Sequence, residues 1–135
     1  MALIEWKEEY SVSVKRFDAD HKKLFSLLNA LSDAMAKGHG RFVIQSVLHQ
    51  LIDYTRQHFA AEEIAMRTVA FPGLASHAAE HRALTAKVEK FAAECGEGKI
   101  ITIDVLYFLR DWLDHHILVT DRKYAEALEQ SGLHF

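Results

Sequence analysis

The sequence predicts an all-α fold, an antiparallel up-down-up-down four-helix bundle with an extended N-terminal arm. Three observations lead there. Apolar residues recur at three- and four-residue intervals through four long segments. The one proline, Pro72, and most of the six glycines fall between those segments, where helices stop and turns begin. Alternating strand-like runs are scarce.

The arm spans about residues 1–17, and Ser11-Val12-Ser13-Val14 within it is the best strand-like candidate. Asp18 fits an N-cap for a first helix over about 19–37. On that helix His21, Leu24, Leu28, Leu31 and Met35 share a face. A second helix over about 41–67 aligns Ile44, Leu48, Leu51, Thr55, His58 and Glu62. The third, about 74–95, aligns His77, His81, Leu84, Val88, Phe91 and Cys95. The fourth, about 103–130, aligns Val105, Leu109, Trp112, His116 and Thr120. Short connections make successive helices antiparallel neighbours.

At 135 residues the chain reads as one domain with room for a core. A formal charge of −3 gives no basic footprint for nucleic acid. Cys95 has no intramolecular partner for a disulfide, which fits a reducing compartment. No apolar stretch reaches membrane-helix length, and the N-terminal residues lack a secretory pattern. The expectation is a soluble, cytoplasmic, monomeric protein.

The anomaly is nine histidines in so short a chain. His21, His58, His77, His81 and His116 lie on otherwise apolar stripes, joined by Glu62 four residues after His58 and by Asp121. Side chains four apart on a helix lie one above the other, so each such pair can reach a single interior point. Buried charge or imidazole costs several kcal/mol unless paired or ligated. Five imidazoles with two carboxylates inside a bundle point to a binuclear metal site, and that donor set suits non-haem di-iron or di-manganese. His39, His49 and His134 read as solvated, and Glu63 as a surface charge.

Two positions on the fourth helix need weighing. His115 continues the mixed line of Phe108, Asp111 and Arg122, whereas His116 continues Val105, Leu109 and Trp112, so His116 is the expected ligand. Asp121 follows His116 by five residues, which on an ideal helix turns it about 140° away. Either the two straddle the inner face of a wide centre, or the helix is locally overwound or bulged there.

These residues resemble those of the haemerythrins, above all the single-domain bacterial ones. The matching elements are Trp6, the Ser11–Val14 arm, Asp20-His21, His58-Phe59-Ala60-Ala61-Glu62-Glu63, His77-x-x-x-His81, and Trp112-Leu113-x-x-His116-Ile117-x-x-x-Asp121-x-x-Tyr124. Ser13 departs from the pattern, since relatives often carry glycine there. The resemblance implies two Fe ions, non-haem and oxo- or hydroxo-bridged. His77, His81 and His116 would hold one, His21 and His58 the other, and Glu62 and Asp121 would bridge them. Given that assignment, six-coordinate irons leave one position open, on the side with two histidines, and that position would take O2. Phe25, Phe59, Trp112, Leu113 and Tyr124 are the candidates for an apolar O2 pocket. The expected function is reversible O2 binding for carriage, storage or delivery, without enzymatic turnover, with an O2-consuming protein as the partner. The alternatives are a di-iron redox enzyme (an oxidase, or a peroxide- or NO-consuming protein) and an oxygen or redox sensor domain. Histidine outnumbering carboxylate disfavours the strongly oxidising, glutamate-rich chemistry of ferritin-like sites.

Overall fold

The computed structural model describes residues 2–99 and 102–135. Four long helical segments form a bundle: α1 (Lys15–Ala36), α2 (Arg41–Thr68), α3 (Leu74–Gly96), and a fourth that begins as α4 (Ile103–His115). The fourth continues through a π-helical stretch, His116–Asp121, into α5 (Arg122–Ser131). The fourth helix expected over about 103–130 is thus locally interrupted, and the interruption falls on the candidate donors His116 and Asp121. No strand occurs among the described residues. Among the described residues no helix is long and apolar enough to cross a membrane.

Up-down-up-down order fixes where a layer of inward groups must sit. His21 lies early in α1, His58 and Glu62 late in α2, His77 and His81 early in α3, and His116 and Asp121 late in the fourth helix. Alternating direction brings all four levels to one height. The layer separates two apolar clusters. The larger includes Leu24, Leu28, Leu31, Leu48, Leu84, Leu109 and Leu113. The smaller gathers Val12, Val14, Phe17, Met66, Tyr124 and Leu128. On α4 the buried apolar residues are Leu106, Leu109 and Leu113, so Val105 and Trp112 flank the core face rather than centre it.

The arm is irregular, not a strand. It makes a 3-10 turn over Glu8–Tyr10 and is pinned by side chains. Asn29 Oδ1 accepts the N–H groups of Leu3 (2.9 Å) and Ile4 (3.1 Å), and Tyr10 Oη donates to Asp114 Oδ1 at 2.6 Å. Val12 and Val14 are buried while Ser13 is exposed, so the period-two pattern is real although no neighbouring strand reads it. Helix α1 starts at Lys15, which places Asp18 inside the first turn instead of at the cap. From there its carboxylate accepts Val12 N–H (2.9 Å) and Ser11 Oγ–H (2.6 Å), tying the arm to the helix.

Among the described residues, two that are not glycine occupy the left-handed region, Ser13 (φ 60°) and Ala70 (φ 53°). Ala70 ends α2, in a turn where Phe71 N–H reaches back to Met66 O at 2.9 Å, the position that usually takes glycine. A Cβ there costs about 1–2 kcal/mol, partly offset by the extra unfolded-state freedom of glycine, about 0.4–1 kcal/mol. Ser13→Gly and Ala70→Gly are therefore expected to raise unfolding free energy by about 0–1 kcal/mol in urea titrations. A clear loss in both would show that the backbone at these turns carries no strain.

Candidate metal centre

All seven candidates converge in the polar layer, and each is at most 3% exposed. His39, His49, His115 and His134 are exposed. Donor atoms fall into two groups able to hold a metal, each with its atoms mutually within 4.8 Å: Glu62, His77, His81, His116 and Asp121, and then His21, His58 and Glu62. Glu62 belongs to both. Its Oε1 lies 3.2 Å from His58 Nε2 and 3.4 Å from His81 Nε2, while Oε2 lies 3.4 Å from His21 Nε2. Asp121 divides its oxygens between the two groups. Oδ1 is 2.9 Å from His77 Nε2 and 3.1 Å from His116 Nε2, and Oδ2 is 3.2 Å from His21 Nε2.

Asp121 reaches this position through the π-helical stretch. A π ladder closes hydrogen bonds five residues apart instead of four, so residues five apart stack on one face. The stretch His116–Asp121 is that interval. Of the readings left open by spacing, a local bulge is the one the backbone adopts.

Three carboxylates that spacing did not single out stand behind the histidines. Asp20 Oδ2 accepts from His58 Nδ1 at 2.8 Å, Glu63 Oε2 from His81 Nδ1 at 2.9 Å, and Glu80 Oε2 from His116 Nδ1 at 3.1 Å. Glu63 is thus a partner of His81, correcting its reading as a surface charge. Each stands beside a ligand candidate in sequence, which was a usable signal. A carboxylate can only accept, so Nδ1 of each ring carries the proton and Nε2 turns a lone pair inward.

That tautomer tests the fit to a metal. His81 Nε2 and His116 Nε2 face each other at 3.1 Å, two lone pairs with no proton to share unless one ring is charged. Among the described residues, His58 Nε2, His77 Nε2, Glu62 Oε1 and both Asp121 oxygens are buried without a hydrogen-bond partner. Cations at these positions satisfy all of them at once. The donor set, imidazole-rich with two shared carboxylates, fits a pair of transition-metal ions.

Aromatic rings brace the donors. Phe59 stacks on His81 (3.7 Å, 4°) and Trp112 on His116 (4.3 Å, 13°). Phe59 also stands 6.1 Å from His58. Tyr124 is fully buried and donates its hydroxyl to Glu62 Oε2. Leu113 is part of the large apolar cluster. Phe25 packs edge-on against Tyr10 at 5.0 Å, so its closest aromatic contact is with the arm.

A buried layer of histidines and shared carboxylates in a four-helix bundle defines a metal-binding helical protein. The chain belongs to the haemerythrin family: the family model described as "Hemerythrin HHE cation binding domain" matches residues 12–128. It is similar to the bacteriohemerythrin of Methylococcus capsulatus, 37% identical over 133 residues that cover 95% of this chain and 98% of that protein. It is also similar to the bacteriohemerythrin of Stenotrophomonas maltophilia, 28% identical over 129 residues, 96% of this chain and 84% of that one. A crystal structure of wild-type hemerythrin superposes with a TM-score of 0.88 at 34% identity, covering 94% of this chain and 98% of that one.

Without metal, protons take over part of the cation's role. Burial resists charge on His21, yet the carboxylates of Asp121 and Glu62 more than offset it and push its pKa up to about 10. His58 and His116 are raised by the same opposition of burial and carboxylates. Burial alone would raise Glu62 and Asp121, but the surrounding imidazoles hold both below the usual carboxylate range. Raised histidines stabilise the metal-free fold fully below their ordinary 6.5 and lose that contribution as pH climbs towards about 10. Depressed carboxylates stabilise it above about pH 4 and fail in acid. The melting temperature of metal-free protein is therefore expected to peak at about pH 5–6.5 and to fall by about pH 9. Metal ligation needs deprotonated donors, so the loaded protein should instead gain stability from about pH 5 to 7. Thermal melts of both forms across this range check the opposed slopes; a metal-free melting temperature that rises from about pH 6.5 to 9 sinks the assignment.

Proposed function

We propose that the chain holds two non-haem iron ions and binds O2 reversibly, for carriage, storage or delivery. His77, His81 and His116 would hold one ion, His21 and His58 the other, and Glu62 and Asp121 would bridge them. The carrying observation is the division of Asp121, with Glu62 Oε1 standing between His58 and His81. Asp121 turns one oxygen to His77 and His116 and the other to His21. When bound, two ferrous ions supply the two electrons that reversible O2 uptake requires.

The chain's own residues favour binding over turnover. Among the described residues, the buried polar side chains beyond the seven donors are Thr55 and Thr120, with the Tyr124 hydroxyl committed to Glu62. Among the described residues no further fully buried carboxylate accompanies them. Leu113, Ile117 and Phe59 belong to the apolar cluster flanking the layer, where they limit entry of water and small anions. Trp112 and Tyr124 hold His116 and Glu62 in place.

Anaerobic iron loading followed by optical spectra before air, after air and after O2 removal tests the proposal. A band that appears and disappears with O2, with two irons per chain, is the expected result. One zinc per chain, or an irreversible change on the first exposure to air, would overturn it. His116→Ala is expected to lose iron from the three-histidine side, while His115→Ala keeps the full centre, both measured by metal analysis. Leu113→Ala opens a core cavity costing about 2–5 kcal/mol and is expected to speed decay of the oxygenated form more than it weakens initial O2 binding. Decay at the wild-type rate would make Leu113 ordinary core.

A further inference from the structure

The three carboxylates behind the histidines follow one rule around the bundle. Asp20, next to His21 on α1, reaches His58 on α2. Glu63, next to Glu62 on α2, reaches His81 on α3. Glu80, next to His81 on α3, reaches His116 on the fourth helix. Neighbours in a helix diverge by about 100°, so when a ligand points inward, the residue beside it points into the seam with the next helix. Three successive seams are closed this way. The last seam, from the fourth helix back to α1, is not: among the described residues, the buried Nδ1 of His21 has no hydrogen-bond partner.

We infer that Asp20, Glu63 and Glu80 are positioning residues, each fixing from an adjacent helix which ring nitrogen a histidine turns to the metal centre, and that they make the His77–His81–His116 position the tighter of the two. The inference rests on the metal-centre reading above. An acceptor-only carboxylate holds the proton on Nδ1 and leaves Nε2 free to ligate, and its charge strengthens the ring as a donor. At the three-histidine position His81 and His116 are held in this way, and among the described residues His77 has no such carboxylate. At the other, only His58 is held, and its carboxylate is shared with Tyr54, whose hydroxyl donates to Asp20 Oδ1 at 3.0 Å. That second hydrogen bond draws charge away from His58. His21 Nδ1 there meets no carboxylate among the described residues, so no outer group helps to hold its Nε2 toward the centre.

The test is an optical titration of the metal-free full chain with Co(II). Wild type is expected to fill in two steps, the tighter first. Glu63→Ala and Glu80→Ala should weaken the first step by about 10–100-fold and leave the second near wild type. Asp20→Ala should weaken the second step alone. Glu63→Gln and Glu80→Gln keep an acceptor oxygen without its charge and should fall between alanine and wild type. Glu89→Gln, on a glutamate paired with Arg56, should change neither step. Two equal wild-type steps, or unchanged steps in the alanine variants, overturn the inference while the metal centre stands. A matched loss in both steps, accompanied by lower melting of the metal-free variants, shows ties in the fold only and also overturns it. A wild-type chain that takes up no Co(II) removes the metal-centre reading and this inference together.

Discussion

Everything in this bundle is arranged around a polar layer that cannot satisfy itself. Five imidazoles and two carboxylates meet at one level with almost no solvent access. Three of the rings are forced by outer carboxylates to turn lone pairs inward. Acceptors facing acceptors in a low-dielectric interior are costly, and raised histidine pKa values are the response of a chain without a cation. The apolar clusters above and below supply the burial that holds the helices together. The layer between them is conditional on what it binds.

That requirement also dictates the irregular part of the fourth helix. Among the described residues of the four bundle helices, only the fourth departs from α geometry, and it does so between two candidate donors five positions apart. The extra residue shifts register locally, so that Asp121 lies over His116 and the following turn presents Tyr124 to Glu62. An uninterrupted α-helix could offer His116 or Asp121 to the centre, but not both at the same depth. Bulges of this kind cost regular hydrogen bonding and are found where a side chain must be re-aimed.

The inward stripes and the convergence of the candidate donors were legible because both depend largely on a fixed helical period. His58 with Glu62 and His77 with His81 keep that period, and His116 was separable from His115 by the apolar residues before it. Asp121 was not resolved by spacing because its geometry comes from backbone that departs from the period. The start of α1 was misplaced at Asp18 for a related reason. A capping residue and a first-turn residue that reaches back to the arm look alike in sequence, and here the carboxylate binds Ser11 and Val12 from inside the helix. Glu63 was read as a surface charge because a single helix cannot reveal what stands across a seam. That information lies in pairing between helices, which periodicity along one of them does not carry.

The surroundings of the centre suit a small neutral guest. Organic substrates generally occupy concave sites of about 300–1,000 Å³ that present several polar groups to the reacting atoms. A groove of about 330 Å³ between α2 and α3 does reach the centre's edge, lined by Phe59, Glu63 and His81 among others. What it meets there is the back of the site: His81 Nδ1 is already taken by Glu63, and Phe59 covers the ring face. A molecule in that groove would meet the outer His81–Glu63 pair, not the Nε2 atoms that face the centre. A neutral diatomic needs only transient gaps between apolar side chains, and the packing that shuts out a larger molecule also withholds water from whatever is bound. The same walls therefore serve entry of the guest and its unchanged return, which is the demand that reversible O2 binding would place on this fold.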